Sequence, residues 1–389
     1  MNLFLTGSSG FLGGEILVSL SKREDISRIF CLIRAKSQED AVSRLAKVFD
    51  YHNDFFDRKK VIPVVGDLTN PELAGQLIAN TALADVNLII HSAANTSFSR
   101  IYDDLVEKVN IHGLRSILEW SRTLKKLETF TYIGTATICG GAECDKIIYE
   151  DESPNPNAKH LVKYTYTKMI GETMLPQYLP VEKILILRPS IVMGDSRPWI
   201  PRSPVILWAL ATVNLLRLIP LRSQAHVDII PVDYAVNAIN ELTFATKRKY
   251  SVYHISAGTN SFTTPTQLTG AIESYYPDKP AFRFIASELV AQMKKYAKNK
   301  DILEPGMELL NHPEYLKYWK NELGENGKMR IIFAGLEPYL KFIDLGQIFD
   351  NTRLLEDTQM GPSIPAHEYI KTSIKYLEKI DIFEGALDP

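Results

Sequence analysis

A glycine-rich stretch set between an apolar run and a helical pattern constrains this chain more than any other segment. Leu3 to Leu5 leads into Thr6-Gly7-Ser8-Ser9-Gly10-Phe11-Leu12-Gly13, and the helical pattern continues to Leu20. The order predicts a strand, a tight turn and a helix that together bind a nucleotide. Gly7 lets the chain turn sharply out of the strand, Gly10 lets the backbone approach a pyrophosphate, and Gly13 lets the helix pack close to the sheet. Phosphate oxygens would sit on the unpaired N–H groups and positive dipole of the helix N-terminus. Thr6, Gly7, Ser9, Gly10, Phe11, Leu12 and Gly13 are the residues expected to line that cradle. An ordinary glycine-rich turn looks the same on its own, so the next strand has to decide.

Arg28 to Ile33 (RIFCLI) is a compact apolar run of the kind a buried parallel strand requires, and Arg34 follows it about twenty residues past Gly13. A ribose-reading residue belongs there. An acid would accept a hydrogen bond from the 2′-hydroxyl of NAD, whereas an arginine suits a 2′-phosphate. Arg34, with Lys36 and Arg44 nearby, therefore predicts NADP(H).

A chain of 389 residues exceeds the roughly 250–300 that one hydrophobic core usually supports, so a main domain and a smaller one are expected. The division falls at residues 1–190, with 225–258 returning to the nucleotide-binding domain, and 191–224 with 259–389 forming a substrate-binding or lid domain. A formal net charge of −2 provides no global attraction to nucleic acid or anionic membrane. Cys31, Cys139 and Cys144 make neither a metal nor a disulfide framework and read as reduced cytosolic thiols. The first strand begins at residue 2, leaving no room for a secretory signal, and a cytoplasmic protein is expected. Pro204 to Pro220 is apolar but interrupted by Asn214 and Arg217, and shorter than the ~20 residues a membrane span needs. It reads as a helix over the substrate pocket, with peripheral membrane contact as the alternative. Ser287 to Leu310 is Lys-rich, a lid or a solvated helix, and Lys371 to Lys379 closes the chain as a terminal helix.

Strands and helices alternate. Gln38 to Asp50 is helical and Val61 to Val65 extended, ending at Gly66-Asp67-Leu68, where Asp67 and Leu68 are placed to contact adenine. Leu88 to Ser92 is a strand followed by Ala93-Ala94-Asn95, small residues over which a cofactor can pass. A helix spans about Asn110 to Ser121. Thr129 to Ile133 ends in Gly134-Thr135-Ala136-Thr137, and Ile184 to Leu187 in Arg188-Pro189-Ser190. The alternation implies an α/β fold, a Rossmann-type doubly wound parallel sheet with a smaller, mostly helical C-terminal domain. Ligands in such sheets bind beyond the carboxyl ends of the strands, where Ala93, Thr135, Pro189 and Ser190 stand.

Downstream lies Tyr164-Thr165-Tyr166-Thr167-Lys168. Spacing of i, i+4 puts Tyr164 and Lys168 on one helical face, whereas Tyr166 points elsewhere. A hydride donor at a carbonyl needs an acid for the developing oxyanion, and a tyrosine with a pKa of about 10 serves poorly until a cation lowers it. Lys168 is expected to be that cation, and Thr135 to add a second hydrogen bond to the same oxygen.

The pieces LTGSSGFLGGEIL, CLIRAKSQEDAVSRL, VVGDLT, IIHSAANTSF, NIHGL, YTYTKMIGE, ILRPSIVMGD and VDIIPVDYAVNAI run from residue 3 to about 257. Together they resemble an extended short-chain dehydrogenase/reductase, and within it the fatty acyl-CoA reductases and the thioester reductase domains of carboxylic acid reductases and nonribosomal peptide synthetases. The resemblance implies an NADPH-dependent reductase that takes an acyl thioester, on CoA or a carrier protein, to an aldehyde and onward to an alcohol. It also implies that Asn110 joins Thr135, Tyr164 and Lys168 as the fourth active-site member, holding a water-linked proton relay, and that Arg34 and Arg44 meet the 2′-phosphate. Gly134 stands where the family usually has serine, and past residue 260 only FDNTRL, near 349 to 354, is matched. The competing readings are a nucleotide-sugar epimerase or dehydratase of the same fold, which Arg34 and the absence of carboxylates beside Thr135 disfavour, and a catalytically inert NADP-binding module.

Between Ser196 and Val227 the chain holds Arg197, Arg202, Arg217 and Arg222 without one Asp or Glu. Following the sixth strand, these arginines are expected to overhang the site and grip the phosphate of CoA or of a phosphopantetheine arm, while Leu207 to Leu218 covers the acyl chain.

Overall fold

The computed structural model describes residues 1–140, 144–197, 204–298, 305–324 and 326–382. Seven strands make one sheet: β1 Asn2–Thr6, β2 Arg28–Ile33, β3 Val61–Val65, β4 Leu88–His91, β5 Thr129–Ile133, β6 Ile184–Pro189 and β7 Val252–Ile255. All are parallel and lie in the order β7-β6-β5-β4-β1-β2-β3. Six match the apolar runs of the sequence. The seventh, VYHI, passes unmarked because it is only four residues long and its run is broken by His254.

Successive side chains of a strand point to opposite faces, and both faces are covered. Leu3 and Leu5 with Ile29, Cys31 and Ile33 face α1 (Phe11–Ser21), α2 (Gln38–Tyr51) and, further along the chain, a helix at Val232–Phe244. Phe4, Phe30, Leu32, Ile89 and Phe130 face the opposite way, toward α3 (Leu73–Ala79) and helices supplying Leu114, Ile117, Trp120 and Leu175. On that second side α4 (Asp103–Glu107) runs through a π-helical segment, Lys108–Gly113, into α5 (Leu114–Ser121), and α6 (Lys163–Tyr178) packs beside them. The π segment is not legible in the sequence; it carries Asn110 into the interior, as such bulges often do at functional sites.

After β6 come α7 (Pro204–Leu216), α8 (Val232–Phe244), the single turn α9 (Gly258–Ser261), α10 (Pro265–Glu273), α11 (Leu289–Lys298), α12 (Pro313–Leu323) and α13 (Asn326–Ile343). A separate core joins α7, α11, α12 and α13 around Trp208, Leu216, Met293, Trp319, Phe333 and Leu336. Trp319 is fully buried, and its indole N–H donates to the Leu216 carbonyl at 2.7 Å. Leu207, Trp208, Leu210, Ala211 and Leu216 are all interior and belong to this core and its neighbour. Among the described residues no helix is long and apolar enough to cross one. In α11, Leu289, Met293, Tyr296 and Ala297 are buried and the lysines lie on the other face. The C-terminal stretch forms 3₁₀ turns at Ile370–Thr372 and Ile374–Lys379 rather than an α-helix.

FDNTRL stitches the end of the chain to the sheet edge. Ile348–Phe349 pairs in parallel with Ile147–Ile148, Asn351 donates to the Ser256 carbonyl at 2.9 Å, and His254 Nδ1 lies 2.9 Å from the Asp350 carbonyl.

Candidate active site

In a parallel sheet all carboxyl ends share one edge, and the strand order reverses between β1 and β4. Two glycines are forced there. Gly7 has φ +79°, and a Cβ on it would stand 2.7 Å from the Ala93 nitrogen; a Cβ on Gly13 would run into the Gly7 carbonyl. Gly10 is the N-cap of α1, and no side chain caps that helix. Thr6 ties the two strand ends together, its hydroxyl 3.1 Å from His91 Nδ1 and accepting the Ala93 N–H at 3.1 Å. Ser9 is exposed, and Phe11 and Leu12 are half-buried beside it. A close-packed glycine turn and an uncapped helix N-terminus fit a dinucleotide pyrophosphate.

Arg34 is exposed directly after β2. Ser37 caps α2 by accepting the Asp40 N–H, Lys36 N–H donates to the Asp40 carboxylate at 3.0 Å, and Arg44 Nε lies 3.4 Å from that same carboxylate. Arg44 is thus shared with Asp40, whereas Arg34 makes no side-chain ion pair among the described residues. Asp67 accepts from the Thr69 N–H and hydroxyl at 2.8 and 2.9 Å, and Leu68 packs under the π segment so closely that a Cβ on Gly113 would stand 2.7 Å from its own Cβ. Pro189 and Ser190 sit next to the β5 terminus: the Pro189 carbonyl accepts the Ala136 N–H at 2.9 Å, and the Ser190 hydroxyl lies beside the buried Asp228 carboxylate.

Thr135, Tyr164 and Lys168 converge at the end of β5. Tyr164 and Lys168 share a face of α6, and the Thr135 hydroxyl adjoins that of Tyr164 and lies 2.9 Å from Thr137 Oγ1. Burial pushes the Tyr164 hydroxyl up to about 12, with Thr135 acting in the opposite direction. Burial also pushes Lys168 down to about 7, opposed by the Glu172 carboxylate. The Lys168 ammonium donates to the Ile133 carbonyl at 2.6 Å and lies over the Tyr132 ring. The expected lowering of Tyr164 by Lys168 is therefore corrected: desolvation dominates both groups, and the lysine is directed at a strand carbonyl.

Two neighbours escaped the sequence reading. His91 is buried, stacked on Tyr132 with planes 8° apart, and held down to about 3 by burial and the Lys168 charge, so it is a neutral part of the site floor. Its signal was a lone histidine ending an apolar strand. Glu172 is buried one turn beyond Lys168 and takes a multidentate hydrogen bond from Arg188, with distances of 2.8 to 3.1 Å.

Asn110 sits against the back of α6. Its Oδ1 accepts the Asn95 N–H at 2.8 Å, and its Nδ2 donates to the Asn95 carbonyl and to Thr167 Oγ1, both at 2.9 Å. Thr167 Oγ1 in turn donates to the Tyr164 carbonyl at 2.8 Å. Three of the amide's hydrogen bonds are thus spent on Asn95 and Thr167, and one lone pair of Oδ1 stays open.

Three of the four arginines expected to grip a phosphate are held by protein groups. Arg197 pairs with Asp195 at 2.6 Å and Glu15 at 3.0 Å, Arg222 with Asp145 at 2.6 Å and Asp344 at 3.2 Å, and Arg217 is buried against Asn214 and the Pro280 carbonyl. Arg202 lies outside the described residues. Glu15, Asp145 and Asp344, distant in sequence, supply acids to Arg197 and Arg222 by tertiary contact.

Next to Phe98, whose ring stacks on Tyr164, opens a cleft of about 1040 Å³ walled by Phe98, His160, Lys163, Tyr166, Trp208 and Tyr339 among others; Thr135, Tyr164 and Lys168 do not line it.

Residues 5–239, more than half of the chain, match the NAD-binding family model described as male sterility protein. The chain belongs to the male sterility protein family. Its relatives include fatty acyl-CoA reductase 1 of Homo sapiens, 28% identical over 275 residues, an alignment covering 61% of this chain and 53% of the relative. One of the linear gramicidin synthase polypeptides of Brevibacillus parabrevis is 28% identical over 264 residues, 64% of this chain and 5% of that one. The chain spans about half the length of the acyl-CoA reductases it matches. In three dimensions it is similar to the terminal R domain of the myxalamid PKS-NRPS pathway (TM-score 0.71, 21% identity, 97% of this chain and 90% of that one). It is also similar to UDP-glucuronic acid 4-epimerase of Bacillus cereus in complex with NAD (TM-score 0.62, 16% identity, 97% and 99%). These structures share the extended short-chain dehydrogenase/reductase fold that the family's seven-stranded sheet displays here.

Proposed function

We propose that this chain reduces the carbonyl of an acyl thioester, carried on CoA or on the phosphopantetheine arm of a carrier protein, to an aldehyde, with onward reduction to an alcohol, using NADPH. The observation that carries this reading is the convergence of Thr135, Tyr164 and Lys168 at the end of β5, joined through the Phe98 ring to a cleft with partly aromatic walls. The kinship with fatty acyl-CoA reductases supports the same substrate class.

The Gly7–Gly13 turn would hold the pyrophosphate, Arg34 and Arg44 the 2′-phosphate, Asp67 and Leu68 the adenine, and Ala93, Pro189 and Ser190 the nicotinamide side. When bound, NADPH supplies hydride to the carbonyl carbon. Tyr164 and Thr135 donate hydrogen bonds to the carbonyl oxygen, where negative charge develops. As the tetrahedral oxyanion collapses, the carbon–sulfur bond breaks, thiolate leaves and the aldehyde carbonyl re-forms. Lys168, poised by burial at about 7 and supported by Glu172, supplies a tunable charge behind the tyrosine.

The test is NADPH oxidation against a panel of acyl-CoA and acyl carrier thioesters, with nucleotide sugars as control and chromatographic detection of aldehyde and alcohol. Thioester-dependent oxidation with aldehyde formed is expected. Turnover of a nucleotide sugar with every thioester inert would overturn the reading.

A further inference from the structure

We infer that Phe98 is a positioning residue for Tyr164, through which the C-terminal helical unit, and not the nucleotide-binding sheet alone, orients the candidate acid. The inference rests on the reading above for its kinetic consequences. Its structural basis is separate. The Phe98 ring stacks on Tyr164 with centroids 6.3 Å apart and planes 29° apart, and also meets Tyr339 at 4.5 Å and 19° and Phe342 at 5.5 Å, both on α13. Tyr339 then abuts Trp208 of α7 edge-on at 5.2 Å. The rings run without a break from the reaction centre into the separate core of the helical unit.

The loop bearing Phe98 is fixed from behind. Asn110 clamps both backbone groups of Asn95, Asn95 Oδ1 accepts the Ser97 N–H at 3.0 Å, and the Ser97 hydroxyl accepts the Ser99 N–H at 3.1 Å. Asn110 also bonds Thr167, which bonds the Tyr164 carbonyl. Tyr164 is therefore gripped twice, through its backbone by Asn110 and Thr167, and through its ring by Phe98. Phe98, Tyr339 and Trp208 also wall the cleft, so a chain that fills the cleft presses on the rings that set the tyrosine. An isolated structural role would make no such link between cleft occupancy and the orientation of the acid.

The experiment places 3-fluorotyrosine at position 164 and follows its fluorine resonance in the full chain carrying Phe98→Leu, Phe98→Tyr or Tyr339→Leu, alongside thermal melting. Phe98→Leu and Tyr339→Leu should each move the resonance in protein that melts normally, and Phe98→Tyr should restore it. In activity assays without the fluorine label, both leucine variants should lower kcat about tenfold while changing the NADPH KM little. A resonance that ignores Tyr339→Leu, or a kcat unchanged in Phe98→Leu, would overturn the proposal. Because the resonance needs no substrate, a silent thioester panel would remove the functional reading alone, whereas an unmoved resonance in an active enzyme would remove only this one.

Discussion

A Cβ on Gly134 would stand 2.8 Å from Glu172 Oε1, and Glu172 is the carboxylate that neutralises the buried Arg188 and faces Lys168. A side chain at position 134 would therefore push against the carboxylate behind it. Gly134→Ser should displace Glu172 and destabilise the fold by about 2 kcal/mol or more, read as a lower urea midpoint. An unchanged midpoint would mean that the carboxylate has room to move.

Tyr164→Phe removes the hydroxyl beside Thr135 while leaving the ring on Phe98. Turnover should fall by ~10²-fold or more with NADPH affinity nearly intact, because no phosphate contact is touched. Steady-state kinetics with fluorescence titration of NADPH checks both halves, and full turnover would remove the acid assignment.

Arg34 is exposed after β2, whereas Arg44 is shared with Asp40. Arg34→Asp should erode the preference for NADPH over NADH by placing a like charge at the 2′-phosphate. The ratio of kcat/KM for the two cofactors measures it, and an unchanged ratio would assign the phosphate to another group.

Asn110→Ala would remove partners of the half-buried Asn95 N–H and carbonyl and of the buried Thr167 hydroxyl. A loss of about 2–3 kcal/mol is expected in urea unfolding, together with lower turnover as both the Tyr164 backbone and the Phe98 loop are released. If stability falls and kcat does not, the clamp serves folding only.

Glu150 is buried, accepts the N–H groups of His254 and Arg353 at 2.8 and 2.9 Å, and is pushed by burial up to about 7. Its folded value lies above the ordinary 4.5, so the folded state binds more protons between those values. Its contribution to stability is therefore complete below about 4.5 and is lost as pH rises through about 7. Urea midpoints across that window should fall with rising pH, and Glu150→Gln should flatten the slope; an identical slope in the variant would assign it to other groups.

The sheet was legible because parallel strands are buried on both faces and so appear as continuous apolar runs, and because the Gly7 to Gly13 turn is a local motif read within a few residues. Tyr164 and Lys168 were legible for the same reason, since their shared face follows from helix geometry alone. Long-range pairing has no such local code. The acids that claim Arg197 and Arg222 include Glu15, Asp145 and Asp344, on elements distant in the chain, so a segment that looks like an anion site in sequence closes into internal ion pairs. Burial likewise belongs to the assembled fold: it raised Tyr164 and lowered Lys168 where the sequence led to the expectation that Lys168 would lower Tyr164. The contact of Phe98 with Tyr339, far apart in the chain, exists only because two separately built cores meet at one cleft.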